Sequence, residues 1–220
     1  IKYTLSLHDA LPILVTKERS YVIGGNSDGE GFSPKEHLSK YIGSSPTETC
    51  NTYNMLKLTR QLLGWEPKAE YADYYERALY NHILPQQNPE NGMVLYYMPL
   101  RPGSERPSRF GTPDNAFWCC TGTGMESQSK YGDSVYFPSD RALSVNLFMA
   151  TDLNWTETGV KVLQETKYPE EQATKLTITA EKPVEMAIHM RYPYLATVGI
   201  TLKVNGQKQK ITTQPGSFVK

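Results

Sequence analysis

The three cysteines of this chain are the residues whose types and spacing point most directly to chemistry. They lie in two short segments, Glu48-Thr49-Cys50 and Trp118-Cys119-Cys120, and the sequence contains no other thiol. Three sulfurs and the Glu48 carboxylate are four candidate ligands for one metal ion, a donor set that suits tetrahedral zinc. The charge of such an ion would hold the thiols as thiolates near neutral pH.

The cysteines also have alternative interpretations. Separate buried cysteines behave as small apolar side chains, and an adjacent pair taken alone favours that role over metal binding. An odd number of cysteines cannot form a complete set of disulfides within one chain. The redox motif Cys-x-x-Cys is absent as well, so the spacing leaves packing and metal binding as the two open interpretations.

The overall charge of the chain excludes several classes of partner. Among the 220 residues, 23 lysines and arginines balance 23 aspartates and glutamates. A balanced surface creates no field that favours nucleic acid, an anionic membrane or a polyanionic substrate. No apolar run approaches the length needed to span a bilayer. We therefore expect a soluble domain with an uncharged partner, for which a sugar is suitable.

The first part of the chain shows helical periodicity. Apolar residues recur at helical spacing over residues 50–63, and Gly64 and Pro67 then mark a stop and a restart. A second helix is predicted from Pro67 to about Leu84, which makes a helical hairpin with the first. Residues 86–118 indicate an ordered loop, with a possible short strand over 94–98, and a short helix is predicted from Thr123 to about Tyr131.

From residue 132 onwards the apolar period changes to two. Successive alternating runs indicate antiparallel strands with one buried face, which is typical of a β-sandwich. An Asn205-Gly206 pair supplies a hairpin turn after the last run, and the domain boundary is predicted near residues 132–138. The apolar positions of these runs are Leu143, Val145, Leu147 and Met149; Leu176, Ile178 and Ala180; Val184, Met186, Ile188 and Met190; and Ile200, Leu202 and Val204.

Four blocks of the sequence resemble the hallmark segments of the β-L-arabinofuranosidases, families 127 and 146 of the glycoside hydrolases, and occur in the same order. They are YVIGGNSDGEGF (21–32), PTETCNTYNMLKLTRQLLGW (46–65), YYERALYNHIL (74–84) and FWCCTGTGMES (117–127). The stretches YGDSVYF and LSVNLFMATDLNW that follow resemble the start of that family's β-sandwich. The resemblance implies an α+β multidomain fold, in which part of an (α/α)6 helical barrel precedes an antiparallel β-sandwich.

The resemblance also implies roles for individual residues. Glu48, Cys50, Cys119 and Cys120 match the family's ligands for Zn2+, and Cys119 matches its nucleophile. Glu30 matches the general acid/base. Tyr96 is similar in position to a residue that contacts the sugar, and the implied substrates are L-arabinofuranose-containing glycans.

Each of these roles has a simpler competitor. Glu30 stands in a turn-forming stretch, where a glutamate is usually a solvated surface charge. Glu48 could instead interact favourably with the dipole at the start of the following helix, and Tyr96 could simply pack its ring against a helical core. His82 is interpreted as a structural histidine. A zinc site with four protein ligands is normally structural, so a non-catalytic carbohydrate-binding or interaction module is the alternative to an enzyme.

Three segments are expected along the chain. Residues 1–13 are interpreted as non-native read-through, 14–131 as the C-terminal part of the catalytic barrel, and 132–220 as a truncated β-sandwich. Only three or four helices are predicted before the strands begin, too few for a closed (α/α)6 barrel. Because an open pocket excludes water poorly, we expect the isolated chain to be a weak catalyst.

Overall fold

The computed structural model of the chain describes residues 14–32, 34–35, 37–43, 45–103 and 110–220. Over these residues the fold is α+β, and the chain divides into two compact units. The first unit comprises the described residues up to Glu66 together with Tyr74–Lys130, and the second comprises Pro67–Asp73 and Tyr131–Lys220. The segment 1–13, interpreted above as read-through, lies outside the described residues.

The helical hairpin predicted from periodicity is confirmed. The helices of the described residues are α1 (Thr49–Trp65), α2 (Ala69–Ala78), which continues through a π-helical turn (Leu79–Ile83), and α3 (Cys119–Gln128), with short turns at Val15–Arg19 and Leu38–Tyr41. Helix α1 ends before Pro67, because a following proline drives Glu66 into the extended conformation that it adopts (φ −148°, ψ 103°). None of the helices in the described part of the chain is long and apolar enough to cross a bilayer.

The loop and the short helix predicted after α2 are both present, and one helix boundary is corrected. The third helix begins at Cys119 rather than at Thr123, so the cysteine pair forms its first turn. Residues 94–98 do not form a strand, and the loop is instead fixed by isolated bridges that pair Gln87 with Val94, Leu95 with Phe110, and Glu48 with Tyr97. The loop thus contacts the residue that precedes α1.

The strands form four sheets within the described residues. Their bounds are β1 (Ser27–Asp28), β2 (Gly31–Phe32), β3 (Tyr136–Ser139), β4 (Ala142–Val145), β5 (Thr151–Trp155), β6 (Val160–Thr166), β7 (Thr174–Ala180), β8 (Ala187–Tyr192), β9 (Lys203–Val204), β10 (Gln207–Lys208) and β11 (Ser217–Val219). The second unit contains a four-stranded sheet of order β11-β8-β4-β3 and a three-stranded sheet of order β5-β6-β7. Strands β1 and β2 form a small hairpin in the first unit, and β9 and β10 form the hairpin predicted from Asn205-Gly206.

The second unit is not purely antiparallel, which corrects the prediction from sequence. Strands β4 and β8 pair in parallel, with Ala142 opposite Ala187 and Val145 opposite Met190. The run predicted to continue to Met149 also leaves the sheet after Val145. There Asn146 is buried, its N–H donates to the carbonyl of Val135 (2.9 Å) and its carbonyl accepts from the Arg191 side chain.

The core of the second unit draws on both of its larger sheets. In β6 the buried Val160 and Val162 alternate with exposed Lys161 and Leu163, as a strand with one covered face requires. Leu143 of β4 joins the two valines in one cluster. The partly buried side chains packed against it are Tyr136, Leu153, Trp155, Leu176, Met186 and Ile188.

Helix α3 depends on one of its two glycines for close packing. A Cβ added at Gly124 would lie 2.7 Å from Cγ1 of Val94, whereas a Cβ at Gly122 would meet no atom within 4 Å. The Gly124 contact is tighter than carbon atoms tolerate, and Val94 is a stiff β-branched side chain that is itself buried. Gly124 therefore serves the packing of α3 against Val94.

We predict that Gly124→Ala lowers the free energy of unfolding by about 1–3 kcal/mol, because the added methyl overpacks the contact with Val94. Gly122→Ala is the matched control on the same helix. It should be neutral or stabilise by up to about 1 kcal/mol, because alanine favours helix more than glycine does. Urea unfolding of both variants measures the difference, and equal stabilities would contradict the packing assignment.

Candidate metal centre

The four residues predicted as metal ligands come together in the first unit. One ligand atom from each of Glu48, Cys50, Cys119 and Cys120 lies within 4.8 Å of all the others. None of the three cysteines forms a disulfide. The cluster can therefore hold a metal ion.

The separations within the cluster fit a four-coordinate ion. Sγ of Cys119 and Sγ of Cys120 are 4.0 Å apart, and their distances to Oε1 of Glu48 are 3.9 and 3.8 Å. Tetrahedral zinc with sulfur ligands at about 2.3 Å and an oxygen at about 2.1 Å requires separations of about 3.8 Å between sulfurs and about 3.6 Å between sulfur and oxygen. These three separations exceed the required ones by only a few tenths of an ångström, and a pair at the 4.8 Å limit of the cluster would close by about 1 Å around such an ion.

The four ligands lie at the N-termini of two helices. Glu48 immediately precedes α1 and makes no side-chain capping bond, Cys50 lies in the first turn of α1, and the cysteine pair forms the first turn of α3. The helices α1 and α3 pack against each other, which places both N-termini beside the cluster. Because the N-terminus of a helix carries partial positive charge, it favours thiolates and carboxylates there.

The backbone before Glu48 is held in a strained conformation. Thr47 has φ +55°, which is unfavourable for a β-branched residue. Its hydroxyl donates to the carbonyl of Met98 (2.7 Å), and the N–H of Glu48 donates to the hydroxyl of Ser27 (2.7 Å). These contacts aim the Glu48 carboxylate at the sulfurs, and sequence reasoning missed both Ser27 and Thr47 because neither motif nor periodicity marks them.

Exposure separates the three thiols. Cys120 is buried and Cys50 is 9% exposed, while Cys119 is exposed. Oγ1 of Thr123, one turn into α3, lies 3.4 Å from Sγ of Cys50 and adds a hydrogen-bonding partner that the sequence did not indicate. Among the thiols, Cys119 is therefore the one that a molecule in solution can reach.

Burial favours the protonated form of Glu48, Cys50 and Cys120 when no cation is bound. Desolvation raises the pKa of Cys50 to about 11 and raises the pKa of Cys120 further. Desolvation also raises the pKa of Glu48, and the nearby negative charge of Glu30 raises it further. A cation at the centre would reverse this balance by replacing the protons, so metal binding releases protons.

Glu30 stands at the tip of the β1–β2 hairpin. Asp28 pairs with Gly31, and the two residues between them, Gly29 and Glu30, form the turn. Gly29 takes φ +59°, a conformation that favours glycine, in a two-residue loop typical of hairpins. The turn predicted from sequence is confirmed, and it presents the Glu30 side chain to solvent.

Tyr96 connects Glu30 to the cluster. Its hydroxyl donates a short hydrogen bond to Oε1 of Glu30 and lies 3.7 Å from Sγ of Cys119. The Tyr96 ring contacts the rings of Tyr97 and Trp118 in tilted arrangements, with centroid distances of 4.6 and 5.8 Å. Glu30 and Cys119, which the sequence separates widely, thus share one hydrogen-bonding partner.

His82 is not part of the cluster. It is fully buried in the π-helical turn, and desolvation lowers its pKa to about 3, so the ring is neutral near pH 7. The backbone of Thr47 contacts the ring and only partly offsets this lowering of the pKa. Nδ1 of His82 lies 3.0 Å from the position a Cβ would take at Gly25, so the ring is tightly packed.

Comparison with known proteins identifies relatives of both units. Residues 5–133 match the catalytic domain of the GH127 β-L-arabinofuranosidases, and residues 142–220 match the middle domain of the same family. The comparison with curated proteins gives no match.

Solved structures share the fold. The chain is similar to a GH127 β-L-arabinofuranosidase from Geobacillus stearothermophilus T6, with 25% identity, a TM-score of 0.77, and coverage of 99% of this chain and 37% of that protein. A glycoside hydrolase (23% identity, TM-score 0.76) is covered over 38% of its length and 93% of this chain. A GH127 β-arabinofuranosidase (20% identity, TM-score 0.73) is covered over 36% of its length and 98% of this chain. The chain thus spans little more than a third of each of these proteins.

We predict that the metal-free chain binds one cobalt(II) ion and develops the absorption of cobalt–thiolate bonds. Cys50→Ser should weaken that binding by at least about ten-fold. Loss of a residue that only contacts a ligand already lowers metal affinity by about that factor, and loss of a direct ligand lowers it more. Met125→Ala, at an exposed position of α3, is the control and should bind as the parent does. Unchanged cobalt affinity in Cys50→Ser would show that Cys50 is not a ligand.

Proposed function

The chain belongs to glycoside hydrolase family 127, the β-L-arabinofuranosidases, and from that premise we propose that it carries the catalytic centre of a retaining glycosidase. The proposed substrates are glycans that contain L-arabinofuranose. The observation that carries the proposal is the exposed Cys119 thiol, which belongs to a four-ligand cluster and shares the Tyr96 hydroxyl with Glu30. No nucleic acid or membrane partner is proposed, in keeping with the balanced charge.

Zinc is the metal that the donor set favours. Three thiols and one carboxylate are soft and borderline ligands, and their separations approach those of a tetrahedral site. Glu48, Cys50, Cys119 and Cys120 would hold the ion. When bound, it would supply the positive potential that keeps Cys119 as a thiolate near neutral pH.

In the proposed mechanism, Cys119 and Glu30 act in both of two successive displacements. In the first, the Cys119 sulfur forms a bond to the anomeric carbon while the glycosidic C–O bond breaks, and Glu30 gives its proton to the leaving oxygen. In the second, the Glu30 carboxylate takes a proton from water as the water oxygen bonds to the anomeric carbon. The C–S bond breaks and its electron pair returns to sulfur. Two displacements at one carbon retain the configuration of the sugar.

Tyr96 is the proposed sugar contact. Its ring lies beside Trp118, and its hydroxyl stands between the proposed nucleophile and the acid/base. A sugar whose anomeric carbon approaches Cys119 must pass close to this residue. Aromatic rings with a polar tip suit a ligand that has both apolar and hydroxyl faces.

The proposed domains keep the boundaries predicted from sequence. Residues 14–131 would form part of an (α/α)6 catalytic barrel, and residues 132–220 would form a β-sandwich domain. The helical hairpin of α1 and α2 supports the first assignment. The mixed four-stranded sheet and the β5-β6-β7 sheet, which share one core cluster, support the second.

A non-catalytic module with a structural metal is the second candidate. It is favoured by the completeness of the cluster, since four protein ligands normally leave no open position for substrate. The exposure of Cys119 favours catalysis instead, because a purely structural ligand gains nothing from being reachable. Reactivity of the metal-loaded Cys119 therefore separates the two candidates.

We predict that the zinc-loaded chain releases 4-nitrophenol slowly from 4-nitrophenyl β-L-arabinofuranoside, in keeping with an open pocket, with β-L-arabinofuranose as the first product by proton NMR. Cys119→Ser should abolish release because it removes the nucleophile. Glu30→Gln should lower turnover of a methyl β-L-arabinofuranoside by about 100-fold or more, since methanol leaves poorly without a general acid. Met125→Ala is the control and should match the parent.

An arabinofuranosyl haloacetamide supplies the readout that does not require turnover. Labelling of Cys119 in the zinc-loaded chain, located by peptide mass spectrometry, supports catalysis. A chain that holds one zinc tightly, hydrolyses neither glycoside and leaves Cys119 unlabelled would instead be the structural module.

A further inference from the structure

We propose that Tyr96 is a positioning residue for Glu30 and Cys119, in which one hydroxyl proton serves whichever of the two groups carries negative charge. This inference rests on the proposed function and adds to it a role distinct from contact with the sugar. Its basis is the hydrogen bond from the Tyr96 hydroxyl to Glu30 together with its 3.7 Å approach to Sγ of Cys119.

Glu30 needs an external support to hold its position. It is exposed at the tip of a hairpin whose strands β1 and β2 are each two residues long. A glutamate side chain in such a turn rotates about several bonds, and general acid catalysis requires its carboxyl group within hydrogen-bonding reach of the leaving oxygen. Within the described residues, the Tyr96 hydroxyl is the hydrogen-bond partner that the Glu30 carboxylate has.

Tyr96 is itself held by the same elements that hold the cluster. Its carbonyl accepts from the N–H of Thr49, the first residue of α1, at 2.9 Å and from the thiol of Cys120 at 3.8 Å. Tyr97 and Trp118 limit the rotation of its ring from the side. The hydroxyl is therefore fixed relative to the ligands, and it transmits that position to a carboxylate on a separate hairpin.

A tyrosine hydroxyl can donate only one hydrogen bond. In the proposed mechanism the negative charge lies on the Cys119 sulfur before attack, when Glu30 still holds its proton. After attack the sulfur is bonded to carbon and accepts poorly, while Glu30 has become a carboxylate. The hydroxyl proton can turn from the first acceptor to the second without leaving the tyrosine oxygen, so no net proton transfer is required.

Removal of this hydroxyl should mimic partial loss of the general acid. We expect Tyr96→Phe to lower kcat/KM for methyl β-L-arabinofuranoside at least about ten-fold more than for 4-nitrophenyl β-L-arabinofuranoside, because only the poor leaving group needs protonation. A residue that only binds the sugar would affect both substrates equally. Tyr97→Phe is the matched control, since the described contacts give its hydroxyl no bond to Glu30 or Cys119. Its loss of kcat/KM on the methyl glycoside should be about the same as its loss on the 4-nitrophenyl glycoside.

A second pair of variants displaces Glu30 without altering Tyr96. Gly29→Ala strains a residue at φ +59°, whereas Gly31→Ala changes a residue of ordinary φ in the same hairpin, and neither new Cβ would meet an atom within 4 Å. Gly29→Ala should show the same selective loss on the methyl glycoside, and Gly31→Ala should not. This pair tests whether the position of Glu30 on the hairpin controls protonation of the leaving group.

Carboxyl carbon-13 NMR provides a readout independent of turnover. The Glu30 resonance, assigned from its loss in Glu30→Gln, should shift in Tyr96→Phe at fixed pH and stay in place in Tyr97→Phe. Equal losses on both glycosides, or an unmoved Glu30 resonance, would overturn the positioning role. If the parent hydrolyses neither glycoside, the proposed function fails for this chain, and the NMR shift alone decides whether Tyr96 positions Glu30.

Discussion

The rest of the structure depends on the convergence of four acidic ligand groups at one point, three of which are buried. Glu48, Cys50 and Cys120 are withdrawn from water, and withdrawal raises the pKa of each. A buried carboxylate and two buried thiolates would repel one another and lose hydration, so the anionic cluster is unfavourable without a cation. A divalent ion removes that cost, and the converging N-termini of α1 and α3 favour the same charge state.

The cluster also leaves room beside it for the proposed nucleophile and the proposed general acid. Three of its ligand residues are largely buried, while Cys119 opens to solvent on the side where Tyr96 and Glu30 lie. The buried ligands can hold an ion, and the exposed sulfur can meet a substrate. A site with four protein ligands is typical of structural zinc. Because one of the four is exposed, the same site is compatible with the chemistry proposed for this chain.

Sequence patterns predicted the parts of the fold whose cause is local. Helix α1 has a clear apolar stripe and stops before Pro67, and the Asn205-Gly206 turn forms the β9–β10 hairpin as expected. The start of α3 was missed because Cys-Cys-Thr-Gly offers no apolar contrast and includes a weak helix former. The parallel pairing of β4 with β8 was missed because three intervening strands belong to another sheet, which alternation alone cannot reveal.

The convergence of the ligands was anticipated by resemblance and not by spacing. Cys119 and Glu48 are 71 residues apart, and periodicity carries no information over that distance. The contact between Tyr96 and Glu30, 66 residues apart, was foreseen by neither route, because the loop and the hairpin meet only through tertiary packing.

The most direct test of the account is zinc K-edge X-ray absorption on the chain loaded with one equivalent of zinc. We predict a first shell of three sulfurs at about 2.3 Å and one oxygen at about 2.0–2.2 Å. In Cys50→Ser the sulfur number should fall to two. A first shell with fewer than three sulfurs in the parent chain would contradict a shared site for Glu48, Cys50, Cys119 and Cys120.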